Sequence, residues 1–263
     1  MPVVVGLALT AVKATRLRQV DRIELGPDGV RENRRFYLID ARDRMINGKI
    51  VGELQQVVAD YSDVERTLRL GLPDGRVIDG EIRLGDQVTT TFFSQPADGR
   101  IVEGPWSAAL SDCFGQTLRL VEAGDRATAV DRGPDGAVSL ISRASLARLA
   151  EAGDVDSLDS RRFRMLIEID GVEAHAEDRW VGHKVQIGEA TIEFGGHVGR
   201  CLITSRDPDT GQITLPTLDM LGGYRTDLHT TEPLPFGIHG RVLEPGSVRV
   251  GDEVTPMDSL PGR

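Results

Sequence analysis

Short apolar or alternating runs, each ended by a turn signal, are the feature that most constrains the fold of this 263-residue chain. Clusters of Gly, Pro and Asp, such as those at residues 26–29 and 73–75, separate the runs. Runs of this length, bounded by turn residues and containing β-branched residues, are typical of strands with antiparallel neighbours. In the first third of the chain they cover residues 20–25, 35–40, 56–61 and 67–72. The pattern predicts a mainly β fold that begins with a β-rich module.

Helix signals are few. Residues 104–111 form one candidate, and residues 142–151 form another, in which Ser142 or Ser145 can cap free backbone amides. The second candidate ends at Gly153. A chain of this length can bury a large core as one or two closely packed domains, and the best boundary between two lobes lies near residues 95–110.

Charge and cysteine usage limit the classes of partner. The formal net charge of -10, from 41 acidic and 31 basic residues, argues against binding to nucleic acid or to an anionic membrane. Two cysteines are too few for a disulfide framework, so a reduced, cytoplasmic protein is expected. The apolar segment at residues 1–10 is predicted to be a first buried strand, because about 20 apolar residues are needed to span a bilayer.

Cys201 is the strongest candidate for chemistry. It follows Arg200 and precedes a turn-forming stretch at residues 207–211. A thiol beside a guanidinium group can be a low-pKa thiolate, and hence a nucleophile or a ligand of a soft metal. We expect Cys201 to Thr204 to lie on a strand that lines a pocket, and His197 is a candidate for the same pocket. An inert buried cysteine and a structural histidine are the alternatives.

Arginine pairs occur at residues 34–35 and 161–162. The second pair directly precedes a predicted strand at residues 163–169. Alternate side chains of an extended chain share a face, so Arg162 and Arg164 would point the same way. Planar guanidinium groups on one face can grip a phosphate or a carboxylate. The alternative is a set of surface arginines paired with nearby carboxylates.

Several common sites are not indicated. None of the five histidines has the spacing of a zinc motif, and no dinucleotide fingerprint, phosphate-binding loop or iron–sulfur cysteine cluster is found. If the chain is a redox enzyme, its electrons must therefore come from a separate partner.

Taken together, the motifs resemble the MOSC family, named for the molybdenum cofactor sulfurase C-terminal domain. The resemblance is to the two-part form found in bacterial MOSC proteins and the mitochondrial amidoxime-reducing component. The segments that carry it are residues 12–13, 34–40, 104–107, 144–146, 161–164, 177–182 and 200–211. It implies a MOSC β-barrel with an N-terminal β-barrel-like module and a few short helices. Residues 1–95 would form the N-terminal module and residues 96–263 the MOSC domain.

The resemblance also implies the molybdenum cofactor, a molybdenum-carrying pterin with a terminal phosphate. Cys201 matches the catalytic cysteine that ligates molybdenum, and a thiolate suits such a metal. The residues expected to hold the cofactor or to orient its ligand are Lys13, Arg35, Ser145, Arg162, Arg164, Arg200 and Thr204. The chain departs from the family pattern at Ala14 in place of the usual Ser, at residues 32–33 in place of Gly-Asp, at residues 165–166 in place of Pro-Asn, and at residues 197–199 in place of a Pro-Cys element. Leu166 is the most serious departure, because leucine cannot donate hydrogen bonds to a polar pterin edge.

The implied function is an oxidoreductase that reduces N-oxygenated or related small substrates, with electrons from a separate flavin or iron–sulfur partner. One alternative is a sulfur carrier or transferase that uses a persulfide on Cys201. The other is a noncatalytic cofactor-binding or assembly module, which the departures at Ala14 and Leu166 would suit.

Overall fold

A computed structural model describes residues 1–92, 95–124, 133–226, 228 and 230–257. The mainly β class is confirmed, since strands dominate and the described residues contain three α-helices. The strands are β1 (Val3–Leu9), β2 (Arg18–Gln19), β3 (Arg22–Leu25), β4 (Phe36–Ile39), β5 (Met45–Ile46), β6 (Val58–Ser62), β7 (Thr67–Gly71), β8 (Val77–Glu81), β9 (Arg83–Phe92), β10 (Gln95–Glu103), β11 (Arg119–Ala123), β12 (Val138–Ser142), β13 (Ile167–Asp170), β14 (Lys184–Ile187), β15 (Ala190–Gly199), β16 (Pro235–Glu244), β17 (Gly246–Arg249) and β18 (Val254–Pro256). The α-helices are α1 (Trp106–Phe114), α2 (Arg143–Ala152) and α3 (Thr217–Gly222). Short 3₁₀ helices cover Gly52–Gln56, Gly133–Gly136, Ser160–Phe163, Ala176–Trp180 and Leu202–Ser205.

The largest sheet joins both ends of the chain. Its eight strands follow the order β18-β14-β15-β16-β12-β13-β1-β2, and it curls into a half barrel. Most neighbours are antiparallel, but β12 and β13 are parallel, with α2 between them in the chain. Strand β1 pairs with β13, so the first strand of the chain completes a sheet built mainly from the second half.

A second sheet of five strands has the order β5-β4-β11-β10-β9. All four residues of β4 are buried, because both faces of this strand are covered. Phe36 and Leu38 pack into one apolar cluster with α1, whereas Tyr37 and Ile39 belong to another. Side chains alternate between faces along a strand, which explains this division.

The proposed division at residue 95 stays a prediction. Strand β10, which begins at Gln95, pairs antiparallel with β9, and β1 lies in the eight-stranded sheet.

Both predicted helices are confirmed, with their ends shifted by a few residues. Helix α1 ends at Gly115, which adopts φ 62°, a left-handed conformation that glycine tolerates. At the start of α2, the Ser142 side chain accepts a hydrogen bond from the backbone amide of Ser145. That bond satisfies one of the free amides at the helix N-terminus.

Two predicted strand segments are wrong. The segment predicted as a strand at 163–169 begins in the 3₁₀ helix Ser160–Phe163, and β13 starts only at Ile167. Asp159 caps this turn by accepting a bond from the Arg161 amide, and Arg164 ends it in a left-handed conformation. Residues 202–204 likewise lie in a 3₁₀ helix instead of a strand.

None of the helices described above is both long enough and apolar enough to cross a membrane.

Candidate functional site

Cys201 lies where the long strand β15 ends. It is half-buried, has an extended backbone and directly precedes the 3₁₀ helix Leu202–Ser205. Its carbonyl oxygen accepts two hydrogen bonds from Thr204, one from the backbone amide and one from the hydroxyl, each 3.1 Å long. These bonds fix the start of the turn and thereby the position of the thiol.

Four basic residues from distant parts of the chain form a basic cluster beside this thiol. They are Lys13, Arg34, Lys49 and Arg164. Lys13 is only 8% exposed, and its burial is the main cause that holds its pKa well below the usual range. The three guanidinium and ammonium charges around it act in the same direction. Cys201 has the opposite effect on the pKa of Lys13, which places the thiol within the electrostatic reach of the cluster.

The two arginines of the basic cluster are themselves desolvated. Burial lowers the pKa of Arg34 to about 10. Burial and the charge of Arg34 lower the pKa of Arg164 to about 9. Burial disfavours a charged group, and like charges disfavour one another. An anion bound between these side chains would remove both penalties.

Backbone carbonyls and unusual backbone conformations hold the cluster in place. The Arg34 guanidinium donates to the carbonyl of Arg164 at 2.7 Å, and the Arg164 guanidinium donates to the carbonyl of Thr15 at 2.7 Å. Ala14, Arg34 and Arg164 have φ values of 75°, 52° and 56°. Non-glycine residues in this left-handed region cost about 1–3 kcal/mol each, and such strain concentrates at functional sites.

Arg200 donates hydrogen bonds to backbone carbonyls around the thiol. Its guanidinium donates to the carbonyl of Phe163 at 2.8 Å, and its Nε donates to the carbonyl of Phe236 at 2.8 Å. It also lies against the Phe163 ring, with the guanidinium carbon 5.4 Å from the ring centroid. Arg200 therefore joins the loop before Arg164 to strand β16, next to Cys201.

The hydroxyls of Ser145 and Thr204 are both engaged inside the protein. Ser145 is fully buried; its Oγ donates to Glu177 Oε1 at 2.7 Å and accepts from the amide of His175 at 2.8 Å. Thr204 Oγ1 lies 2.7 Å from Thr217 Oγ1. Their assignment to cofactor binding stays a prediction, and the structure uses both hydroxyls to connect chain segments.

Arg35 and Arg162 lie in other contacts. Arg35 forms an ion pair with the buried carboxylate of Glu122, with N–O distances of 2.6 and 2.8 Å. Arg162 donates to the carbonyl of Arg206 and to Thr214 Oγ1, both at 2.8 Å. The structure therefore brings Lys13, Arg164 and Cys201 together but uses these two arginines elsewhere.

Sequence reasoning missed Arg34 and Lys49. The pair at residues 34–35 was recognised, but the choice between its members depends on Glu122, which lies on the neighbouring strand β11. No local signal identifies Lys49. Its neighbour Gly48 packs against Ile203 so closely that a Cβ atom there would overlap the Ile203 side chain.

The segment at residues 201–211, here called the Cys201 loop, is held to the rest of the protein by contacts of its turn at residues 207–211. Asp207 Oδ1 accepts bonds from the amides of Asp209 and Thr210, and the bond from the Thr210 amide is the largest cause of the lowered Asp207 pKa. Asp209 receives two bonds from Arg161, at 3.0 and 2.9 Å. The carbonyl of Asp209 accepts a 3.0 Å bond from Arg16 in the N-terminal part of the chain.

His197 faces a different polar group. Its Nε2 lies 3.5 Å from Asp178 Oδ1, and both atoms are buried with no hydrogen-bond partner among the described residues. The other carboxylate oxygen of Asp178 accepts a 2.8 Å bond from Arg225. This contact does not support a cysteine–histidine pair between His197 and Cys201.

The donor set at Cys201 fits an anionic, metal-carrying cofactor. Within the described residues, no group of three His, Cys, Asp or Glu side chains is placed to hold a bare metal ion. One thiol beside desolvated cations is instead suited to a metal whose other ligands come from an anionic organic group. An anionic group there would also favour the charged forms of Lys13, Arg34 and Arg164, which burial disfavours.

Comparison with known proteins gives a family for the second half of the chain. Residues 127–255 match the family model described as MOSC domain. The human mitochondrial amidoxime reducing component 2 is 38% identical over 102 residues, which are 36% of this chain and 30% of that protein. The human mitochondrial amidoxime-reducing component 1 is 33% identical over 122 residues, 44% of this chain and 35% of that protein. The chain thus aligns with about a third of the length of these curated relatives.

Solved structures resemble the fold at low identity. The crystal structure of the YuaD protein from Bacillus subtilis covers 97% of this chain and 94% of its own, with 12% identity and a TM-score of 0.47. That of YiiM from Geobacillus stearothermophilus covers 48% of this chain and 56% of its own, with 16% identity and a TM-score of 0.36.

Proposed function

Because the chain carries a MOSC domain at residues 127–255, we propose that it is a molybdenum-cofactor-binding oxidoreductase. Its substrates are small N-oxygenated or related compounds, as the names of the amidoxime-reducing relatives suggest. One observation carries the proposal: a half-buried thiol lies within the electrostatic reach of the buried Lys13, which in turn interacts with the desolvated Arg34 and Arg164. Burial and mutual repulsion disfavour the charged forms of these side chains, and an anionic ligand beside them would favour those forms.

Different residues of the chain would hold different parts of the cofactor. The Cys201 thiolate would ligate molybdenum, and the basic cluster would neutralise the anionic pterin and its phosphate. When bound, the cofactor supplies a metal that can accept an oxygen atom from a substrate and exchange electrons. Arg200 keeps the thiol in register with Arg164 through its bonds to the Phe163 and Phe236 carbonyls.

The overall reaction requires reductant and protons. Reduction of a hydroxylamine group, R–NHOH, to the amine R–NH₂ consumes two electrons and two protons and releases water. A separate flavin or iron–sulfur protein would deliver the electrons, because the sequence carries no motif for either group. A cytoplasmic location and the division at residue 95 remain proposals alongside this one.

Molybdenum content provides the test. In a host that makes the cofactor, the purified protein is expected to contain about one molybdenum and one extractable pterin per chain. Cys201→Ser is expected to lower the molybdenum content at least tenfold, because a hydroxyl is a poor replacement for a thiolate ligand. The matched control is Cys113→Ser, which removes the other free cysteine and should leave the molybdenum content unchanged. Elemental analysis and pterin fluorescence measure both quantities.

The alternatives give different results. A sulfur carrier would show a cyanide-labile gain of one sulfur atom on Cys201 in the intact mass after exposure to a sulfur donor. An assembly module would bind the pterin but reduce no N-oxygenated substrate with a reduced dye as electron donor. Full molybdenum and full reductase activity in Cys201→Ser would contradict the proposed function.

A further inference from the structure

Three exposed apolar side chains lie in the Cys201 loop or in segments bonded to it. Ile50, Leu202 and Ile213 are 67%, 36% and 57% exposed. We call these residues the apolar rim. Leu202 follows Cys201 directly, and Ile50 follows Lys49 of the basic cluster.

The segments that carry the apolar rim are bound to each other. Arg206 donates to the carbonyl of Lys49 at 2.9 Å, which joins the Ile50 segment to the Cys201 loop. Arg206 also pairs with Ile213 through an isolated β-bridge. Gly48 packs tightly against Ile203, one residue beyond Leu202. The three rim residues are therefore carried by segments that are joined to each other through residues 203–206, just after the thiol.

The size of the rim favours a small ligand. A stable protein interface buries about 800 Å² on each partner, usually from 20–30 residues, which three side chains do not approach. Small-molecule sites, in contrast, combine a few apolar side chains with a few polar groups. A single exposed apolar residue is ordinary, but three on joined segments beside one candidate catalytic residue form a specific surface.

We propose that Ile50, Leu202 and Ile213 bind the apolar part of the substrate and thereby select compounds with an aromatic or hydrocarbon group next to the reducible N–O group. This inference rests on the proposed function. Contact with the rim removes apolar surface of the substrate from water, so it strengthens binding of apolar substrates and leaves very small polar ones unaffected.

A thiol-labelling experiment tests the rim without any cofactor. In a Cys113→Ser background, cofactor-free protein is treated with N-phenylmaleimide or with N-(2-hydroxyethyl)maleimide, and the rate of Cys201 modification is followed by mass spectrometry. Ile50→Ser and Ile213→Ser are each expected to lower the ratio of the phenyl rate to the hydroxyethyl rate by about 3- to 10-fold. Val64→Ser is the matched control, since Val64 is 95% exposed and lies in the turn between β6 and β7. An unchanged ratio in both rim variants would overturn the assignment.

A kinetic experiment with the loaded protein provides the second arm. With a reduced dye as electron donor, the rim variants should raise the KM for N-phenylhydroxylamine about 3- to 10-fold and leave its kcat unchanged. The kcat/KM for unsubstituted hydroxylamine should stay constant. If the variants slow only reduction driven by a protein electron donor, the rim binds that donor and the inference is wrong. If no substrate is reduced by any variant or by the parent, the proposed function fails, whereas the labelling ratio still decides the rim.

Discussion

Arg34 and Arg35 direct their guanidinium groups to different parts of the molecule. Arg34 donates to the carbonyl of Arg164 and belongs to the basic cluster, whereas Arg35 pairs with Glu122. Arg34 has a left-handed backbone, and Arg35 directly precedes strand β4. The left-handed turn at Arg34 directs its side chain away from that of Arg35, so Arg34 lies at the candidate site and Arg35 lies at the second sheet.

Replacing each arginine with alanine should separate these roles. Arg34→Ala is expected to lower the molybdenum content at least tenfold, because it removes a cation from the basic cluster. Arg35→Ala should leave the molybdenum content unchanged but lower the free energy of unfolding by about 1–3 kcal/mol, since the buried Glu122 carboxylate loses one of its two arginine partners. Elemental analysis and urea unfolding measure the two effects. The reverse pattern would show that Arg35 is the cofactor ligand.

Arg200 is a structural link at the thiol, and its removal should be costly. Arg200→Met keeps an apolar side chain of similar length but leaves two buried carbonyl groups, of Phe163 and Phe236, without this donor. An unsatisfied buried polar group costs about 1–3 kcal/mol, so we expect the free energy of unfolding to fall by about 2–5 kcal/mol.

Arg148→Met provides the control for this substitution. Arg148 is exposed and forms a surface ion pair with Glu151, and such pairs contribute at most about 1 kcal/mol. Urea unfolding of both variants makes the comparison. Equal stability of the two variants would mean that Arg200 does not hold the Cys201 loop in place.

At the scale of elements, short 3₁₀ helices determine which side chains reach the site. Because of the turn Ser160–Phe163, the Arg162 side chain bonds to residues 206 and 214, whereas the Arg164 side chain bonds to the carbonyl of Thr15. On a strand, the two arginines would have shared a face. The Asp159 cap that produces the turn is visible in the sequence, but a run of apolar residues follows it and favours a strand.

The element Ala176–Trp180 and its flanking His175 introduce pH sensitivity. Burial lowers the pKa of His175 to about 4, and the charge of Arg225 adds to the shift. Burial also lowers the pKa of His197, although Asp178 opposes this shift. Both histidines thus bind protons less readily in the folded state than in the unfolded state, where a histidine has a pKa of about 6.5.

The sign of the pH effect follows from this difference. Both histidines favour folding above about pH 6.5, and their contribution is lost as the pH falls through their folded-state pKa values. We expect the free energy of unfolding to decrease between about pH 6.5 and pH 4. His175→Asn should make this decrease shallower by up to about 1.4 kcal/mol per pH unit, because the unfolded state then binds one proton fewer in this pH range. Asn is chosen because it tolerates the left-handed backbone at this position.

Urea unfolding at several pH values measures the slope, and NMR titration of the imidazole rings gives the individual pKa values. Asp178→Asn should lower the pKa of His197 further, since it removes the charge that opposes the shift. A His197 pKa that rises in Asp178→Asn would contradict this account.

At the scale of the whole molecule, local patterns and long-range contacts differ in how well the sequence predicts them. Strand-rich composition, the helices α1 and α2, and the choice of Cys201 as a candidate for chemistry follow from neighbouring residues. The pairing of β1 with β13 and the meeting of Lys13 with Arg164 depend on contacts more than 140 residues apart in the chain. Periodicity does not encode such contacts, so Arg34 and Lys49 emerge only from the assembled structure.

A close contact between two glycines joins the N-terminal segment at residues 48–52 to the Cys201 loop. A Cβ atom on Gly52 would overlap the Gly211 carbonyl and the Arg206 guanidinium, and Gly211 itself has φ 75°. Close backbone approach of this kind requires glycine, because any side chain separates the two segments.

Gly52→Ala should therefore force these segments apart. We expect the free energy of unfolding to fall by about 1–3 kcal/mol, as overpacking usually causes, and the molybdenum content to fall with it because Lys49 and the Cys201 loop move away from each other. Gly195→Ala is the matched control: a Cβ atom there meets open space on an exposed part of β15, so its stability should equal or slightly exceed that of the parent. Urea unfolding and elemental analysis compare the two variants. If Gly52→Ala is as stable and as rich in molybdenum as Gly195→Ala, the contact between the two glycines does not fix the candidate site.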